Sequence, residues 1–387
     1  MTNEDTEMAL PLSIKKCGAS LPNRMYDNVA LTWKRATIVW GGVGIDENTV
    51  NTAWHTSNTT NAVVYYHLSG DWFKKETSGD VPDMCNNFIA QVVSDQMFVI
   101  AARFSNGLST ILVHSLDLNT WVWTSLIPRG RHSKKFKPGS VRSWVFHGKI
   151  YFLSIFYSGK LFCYNISKNS LKSQRLGGDN PTLRGSACTI VHGETVLVFS
   201  GKDVTGRYNN FHILNMATKK WKRMHTNMML TEMADAGPAF EYDTLTRISE
   251  SFAVLYNSDC WMLDLKSAIK VKDPSLFWRR IPTHLGRYLH ATVLEPDSQK
   301  LWVIGGYDNQ RNIVRDILEL SFNLVPLKAL AIDCAAHSIR NGNPRLHPGN
   351  YPSGLRKEIE LYRSKVRETY LCNSERGCVV CQEAKTQ

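Results

Sequence analysis

Cys372, Cys378 and Cys381, spaced Cys-x5-Cys-x2-Cys, are the closest grouping of metal-ligating side chains in the sequence. Zinc held by thiolates takes four ligands, and no fourth Cys or His follows at a normal spacing. His337 and His347 stand far off in sequence, so the three cysteines are expected as free thiols of a polar tail. Arg129, Arg131, Lys134, Lys135, Lys137 and Arg142 form the densest positive run. Such a run steers anionic partners. Apart from Phe136 it carries no aromatics on which bases could stack, so a solvated loop is expected and nucleic acid is not an expected partner. His147, His192, His212 and His290 each lie beside a strand-like run and are expected as packing residues. There is no P-loop, no nucleophile elbow, and no mark of a tyrosine–cysteine radical pair with two His ligands. The reading is a non-catalytic chain with no metal or other cofactor.

The elements that would position any site are six short apolar runs, spaced 46 to 60 residues apart. Each ends at a Gly-Gly pair or a degraded copy of one: residues 37–42, 97–102, 150–154, 196–201, 252–257 and 301–306. They are β-branched or aromatic and bounded by polar turn residues, as buried strands are. A second strand follows most of them, and then a tryptophan: Trp72, Trp121 with Trp123, Trp221 and Trp278. A β-rich unit repeating near every 50 residues with a glycine pair marks a kelch-type propeller. The expected fold is therefore all-β, a six-bladed kelch-type β-propeller over 1–323.

The totals agree with that expectation. The chain has 387 residues, 43% of them hydrophobic, with 11 Trp, 14 Tyr and 15 Phe to fill the wedges between blades. A net charge of +12 favours acidic partners, a peptide carboxylate among them. No apolar stretch approaches the ~18 residues of a membrane span. The start, Met-Thr-Asn-Glu-Asp-Thr-Glu, lacks the basic and apolar regions of a signal peptide. Nine scattered cysteines fit reduced thiols. An intracellular location, cytoplasm or nucleus, is expected, with no membrane partner.

After Phe322 the pattern changes. Leu327, Leu330 and Cys334 fall at i, i+3 and i+7 of an alanine- and leucine-rich stretch and would line one helical face. A linker rich in Asn, Gly and Pro leads to Tyr351-Pro352-Ser353-Gly354-Leu355 and a second helical stretch. Two such helices cannot bury their apolar faces alone and are expected to dock on the propeller or on a partner. A short helical segment over 324–371 and a disordered tail over 372–387 complete the expected organisation.

In this arrangement the chain resembles the kelch-domain substrate receptors of elongin–cullin-2 ubiquitin ligases, the group that includes kelch domain-containing proteins one and two. Val39-Trp40-Gly41-Gly42 matches the first-blade motif of that family, followed in the same order by Asp71-Trp72-Phe73-Lys74-Lys75 and Gly79-Asp80-Val81-Pro82. The segment from Ser200 to Asn210 looks like the family's Gly-Gly-Arg…Arg-x-Asn-Asp, and Arg287-Tyr288-Leu289-His290 like its Arg-Leu-Trp-His. Ala329-Leu330-x-x-x-Cys334 is similar to an elongin C-binding box, and Tyr351-Pro352-x-x-Leu355 to the cullin-2 box that follows one. The chain departs from the pattern at Ser338, where an aliphatic residue is expected. It departs again at Glu232–Ala236, which replaces an Arg-Ser-Trp-His segment, and between Phe152 and Tyr164, where an insertion is missing.

The resemblance implies a substrate receptor that binds the free C-terminus of a target protein, often glycine-ended, in the propeller mouth. By the blade-four match, Lys202 and Arg207 stand at the positions of two carboxylate-binding arginines. Lys202 would act as a point charge and Arg207 as a planar fork. Arg184 and Ser186 would line the mouth and Tyr208 would stack on the peptide. Leu327, Leu330 and Cys334 would engage elongin C of an elongin B–elongin C pair, and Tyr351, Pro352 and Leu355 would engage cullin-2. The alternative that stays open is a kelch interaction scaffold with no ligase link.

Overall fold

The computed structural model describes residues 12–21, 24–45, 56–57, 61–66, 71–82, 88–105, 108–130, 143–153, 160–181, 188–199, 202–203, 206–207, 211–224, 244–257, 259–269, 278–281, 283–295 and 300–322. The chain divides into two compact units, residues 12–322 and residues 1–11 with 323–387. The second unit, which holds both box-like motifs and the three tail cysteines, lies outside the described residues.

Among the described residues, six sheets have four or five strands each. Sheet one runs through Val29–Trp33, Ala36–Trp40, Asn61–Tyr66 and Asp71–Glu76. Sheet two runs through Phe88–Val93, Gln96–Ser105, Leu108–Asp117 and Val122–Leu126. Sheet three holds Ser143–Phe146, Lys149–Leu153, Lys160–Asn165 and Ser170–Arg175. Sheet four holds Cys188–His192, Thr195–Phe199, Phe211–Asn215 and Lys220–Met224. Thr244–Arg247, Phe252–Tyr256, Cys260–Asp264 and Trp278–Ile281 make sheet five. Sheet six takes Ala291–Leu294, Lys300–Ile304 and Asp316–Phe322, and its outer strand is Leu12–Ser20 from the other end of the unit. The first strand of each sheet lies beside the first strand of the next, and that of sheet six lies beside that of sheet one. This is an all-β propeller arrangement; a single turn, Leu265–Ala268, is the α-helix found among the described residues.

Every apolar run read from the sequence is the second strand of its sheet, where both faces are covered. Ala36–Trp40 is buried at all five positions, and Phe98–Ala101, Val196–Phe199, Ala253–Tyr256 and Leu301–Ile304 are buried throughout. Apolar clusters fill the space between successive sheets. Trp40 sits 5.4 Å from Trp123 across the junction of sheets one and two, and Trp72 6.4 Å from Trp302 across that of sheets one and six. In sheet three the position of the fourth-strand tryptophan is held by Leu171, paired with Tyr164 as Trp221 is with Leu214.

The glycine pairs decide how a second strand ends. Gly41 and Gly42 have φ of +68° and +81°, and Gly305 and Gly306 +66° and +86°, a left-handed exit that side chains resist. Where sheet two has Ala101-Ala102 instead, the chain stays extended. Gln96–Ser105 and Leu108–Asp117 pair over ten residues each, with Ala102 opposite Ile111. In sheet five Asn257 makes the turn, its Oδ1 accepting from the Asp259 amide at 2.7 Å.

Sheet six closes through long-range pairing. Leu12 pairs with Phe322 and Lys16 with Leu318, and a register shift lies between Lys16 and Ser20. No glycine pair or tryptophan marks Leu12–Ser20 in the sequence, and the reading above missed this strand.

Candidate functional site

The first strands, one from each of the six sheets, face a common cavity of about 210 Å³. Its polar lining is neutral: Asn28, Gln91, Ser143, Thr189, Thr244, Thr246 and Thr292, with no charged side chain among the described lining residues. Several of these groups stitch adjacent sheets together. Gln91 Nε2 donates to the Ser143 carbonyl at 2.9 Å and to its hydroxyl at 3.0 Å. Thr246 and Thr292 share a hydroxyl–hydroxyl bond of 2.7 Å, and Thr244 Oγ1 lies 2.7 Å from His290 Nε2. Thr32 donates to the Leu294 carbonyl at 3.2 Å. Threonine suits these positions because its β-branched body fits a strand while its hydroxyl reaches the neighbouring chain.

One rim of the ring collects the chemistry. Each second strand runs antiparallel to the first, so the end of the second lies at the start of the first: Trp40 opposite Val29, and Ile304 opposite Ala291. Both glycine pairs, Asn28 and His290 therefore share this rim. Segment 25–28 is held against sheet six, with Gly306 N donating to Met25 O at 2.7 Å and Asp27 N to Leu289 O at 2.9 Å. Three tyrosine rings cluster here, with Tyr26 of this segment tilted by 51° against Tyr307. Tyr307 lies 4.9 Å from Tyr26 and, at an interplanar angle of 8°, 5.1 Å from Tyr288. Burial, then the hydroxyl of Tyr26, push the Tyr307 phenol up to about 12, so it is neutral and hydrogen-bonding at ordinary pH.

The same topology places the link between the second and third strands of sheet four on this rim. Lys202–Asp203 and Gly206–Arg207 pair there as an antiparallel ribbon in which Lys202 is the direct partner of Arg207. The backbone ladder thus sets positions 202 and 207, both singled out by the resemblance, directly opposite each other. Arg184, Ser186 and Tyr208 lie outside the described residues, as do Leu327, Leu330, Cys334, Tyr351, Pro352 and Leu355.

Arg287 is 3% exposed; it donates to the carbonyl of Gly286 at 3.0 Å and to Asp316 at 2.8 Å. Burial alone would raise the Asp316 carboxyl, but Lys16 and Arg287 outweigh it and hold it below its ordinary value. Arg287 is therefore committed to the frame of the ring. His212 and His290 pack as expected, at 3% and 5% exposure, and His192 is half-buried. His147 differs: it is exposed on the turn between Ser143–Phe146 and Lys149–Leu153, with φ of +48°, and stacks on Phe146. Of the positive run only Arg129 is described, in a bridge to Ser170. Among the described residues Cys163, Cys188 and Cys260 are free thiols, and no group of three His, Cys, Asp or Glu could hold a metal. No described helix is long and apolar enough to cross a membrane.

Asn28, the stitching threonines, Tyr26 and Tyr307 were not singled out from the sequence; Tyr288 entered only as part of the Arg287–His290 motif. The available signal was the two intact glycine pairs, at 41–42 and 305–306, which lie on either side of segment 25–28.

No family model matches the chain. Acyl-CoA-binding domain-containing protein 4 of Arabidopsis thaliana is 22% identical over 358 residues, covering 81% of this chain and 49% of that protein. The chain thus spans about half the length of this curated relative. The solved structure of YjhT superposes with a TM-score of 0.53 at 12% identity, over 78% of this chain and 96% of YjhT. At that identity the likeness bears on the fold alone, and it agrees with the propeller arrangement.

Proposed function

We propose that the chain is a non-catalytic binding module whose six sheets are the blades of one kelch-type ring, and that it reads the C-terminal tail of a partner protein. The cross-strand pairing of Lys202 with Arg207 on the mouth rim carries this reading. A terminal carboxylate leaving water needs fixed cationic donors, and two adjacent cations supply them with charge-assisted bonds. The neutral cavity behind the rim suits the uncharged peptide chain that precedes the carboxylate.

In its finer form the proposal is a substrate receptor of a cullin-2 ligase in the cytoplasm or nucleus. Leu327, Leu330 and Cys334 would take elongin C, and Tyr351, Pro352 and Leu355 would take cullin-2, while ubiquitin transfer falls to other subunits. The box-like motifs support this form. The test is co-purification with elongins B and C: association is expected from the full chain and is lost on combining Leu330→Ala with Cys334→Ala. Association that survives both changes rules out the adaptor role.

A second reading is a propeller interaction scaffold without a ligase link, which the propeller arrangement supports without help from the box-like motifs. Under it the tail would bind without elongins. A screen of random peptide C-termini on the full chain tests the mouth under either reading.

A further inference from the structure

Asn28 is 7% exposed, and among the described residues neither its Oδ1 nor its Nδ2 has a hydrogen-bond partner. It lines the central cavity just before the first strand of sheet one. Gln91, Thr244 and Thr246, in the same lining, are paired with neighbouring sheets. A buried carboxamide with both ends unsatisfied is costly to keep, whereas an apolar side chain of the same shape carries no such cost. The surrounding glycines keep its space clear. A Cβ on Gly42 would come within 2.9 Å of Asn28 Cβ, and one on Gly305 within 3.4 Å of its Oδ1.

From this we infer that Asn28 recognises the backbone of one extended residue of the incoming tail. Its Nδ2 donates to that residue's carbonyl oxygen, and its Oδ1 accepts from the same residue's N–H. In an extended chain these two backbone groups point to one side, which is how strands exchange paired bonds. A carboxamide offers the complementary donor and acceptor. A carboxylate does not fit here: it only accepts, it would face Oδ1, and the described lining holds no cation to neutralise it. The inference rests on the tail-reading proposal and divides its labour, with the carboxylate at Lys202 and Arg207 and the backbone at Asn28. It also makes the recognised position intolerant of proline, which has no N–H.

The test uses the full chain and the probe acetyl-glycine N-methylamide, which has a complete residue backbone and no carboxylate. Saturation-transfer NMR is expected to show contact with the wild type. The signal should fall at least fivefold with Asn28→Leu, and equally when the probe's glycine is replaced by sarcosine. Thermal unfolding of Asn28→Leu without probe is expected at or above the wild-type temperature, because two unpaired polar atoms are removed. Equal signals from wild type and variant overturn the inference. So does a Tm drop of several degrees in the variant, since the amide would then be satisfied in the free protein. Because the probe lacks a carboxylate, failure of carboxylate-ended peptides to bind would count against the tail reading and leave this arm intact.

Discussion

Arg287 donates through Nη2 to Asp316 at 2.8 Å, with 3% of its side chain exposed, while Lys16 reaches the other carboxylate oxygen at 2.9 Å. One carboxylate therefore joins the link between sheets five and six, the last strand of sheet six, and the N-terminal strand that completes it. The two cations are not equivalent, because 62% of the Lys16 side chain is exposed.

Removing Arg287 leaves Asp316 with a single, solvent-screened partner. Arg287→Met is expected to cost about 3–5 kcal/mol, the usual result of breaking a buried pair from one side. Lys16→Met should cost less than about 1 kcal/mol, as an exposed ion pair does. Urea unfolding of the two variants decides the matter, and equal losses would show that burial is not what separates them.

The same carboxylate gives a pH dependence of known sign. Its folded pKa lies below the ordinary 3.8, so its contribution is complete above that value and is lost as pH falls through the folded pKa. The stability gap between wild type and Asp316→Asn should stay constant from about pH 7 down to about pH 5 and shrink below about pH 4. Denaturant unfolding across that range measures it. A gap that widens on acidification would contradict the assignment.

Glycine at the sheet ends is required for two separable reasons. Gly148 has φ of +65° with nothing within 4 Å of a would-be Cβ, so Gly148→Ala should cost about 1–2 kcal/mol, the left-handed backbone term alone. Gly306 has φ of +86°, and a Cβ there would lie 2.6 Å from the carbonyl oxygen of Tyr288. Gly306→Ala must therefore cost more than Gly148→Ala, by whatever it takes to move the strand ends apart. Thermal unfolding of the two variants side by side checks the order.

The Lys202–Arg207 ribbon makes the carboxylate reading measurable. Arg207→Ala is expected to weaken binding of a carboxylate-ended peptide selected in the C-terminal screen by about 1.5–3 kcal/mol, the range for a charged hydrogen bond. Arg207→Lys should restore part of the loss, since a point charge replaces a planar fork. Amidating the peptide's end should cost as much as Arg207→Ala. Calorimetric titration that finds acid and amide equally tight would falsify carboxylate capture.

Local physics made much of the fold legible in advance. A strand covered on both faces must be apolar along its length, so each second strand announced itself as a run such as Thr37–Trp40 or Leu301–Ile304. Their repeat with tryptophan was enough to foresee stacked β-units. Leu12–Ser20 was not legible, because its partner Asp316–Phe322 lies some three hundred residues away and nothing local records the pairing. At the site, the order of Lys202 and Arg207 could be read, and their juxtaposition could not. Asn28 was invisible because one asparagine before a strand looks like any turn residue until its neighbours are placed.

Composition and spacing alone determined that this chain builds repeated, aromatic-rich β-sheets, since burial and backbone conformation are written into each repeat. Only the tertiary structure decided which polar groups stay inside the ring. Arg287 and the stitching threonines found partners on other sheets, and among the described residues Asn28 did not. That outcome depends on which strands become neighbours when the ring closes, a long-range property that no single repeat contains.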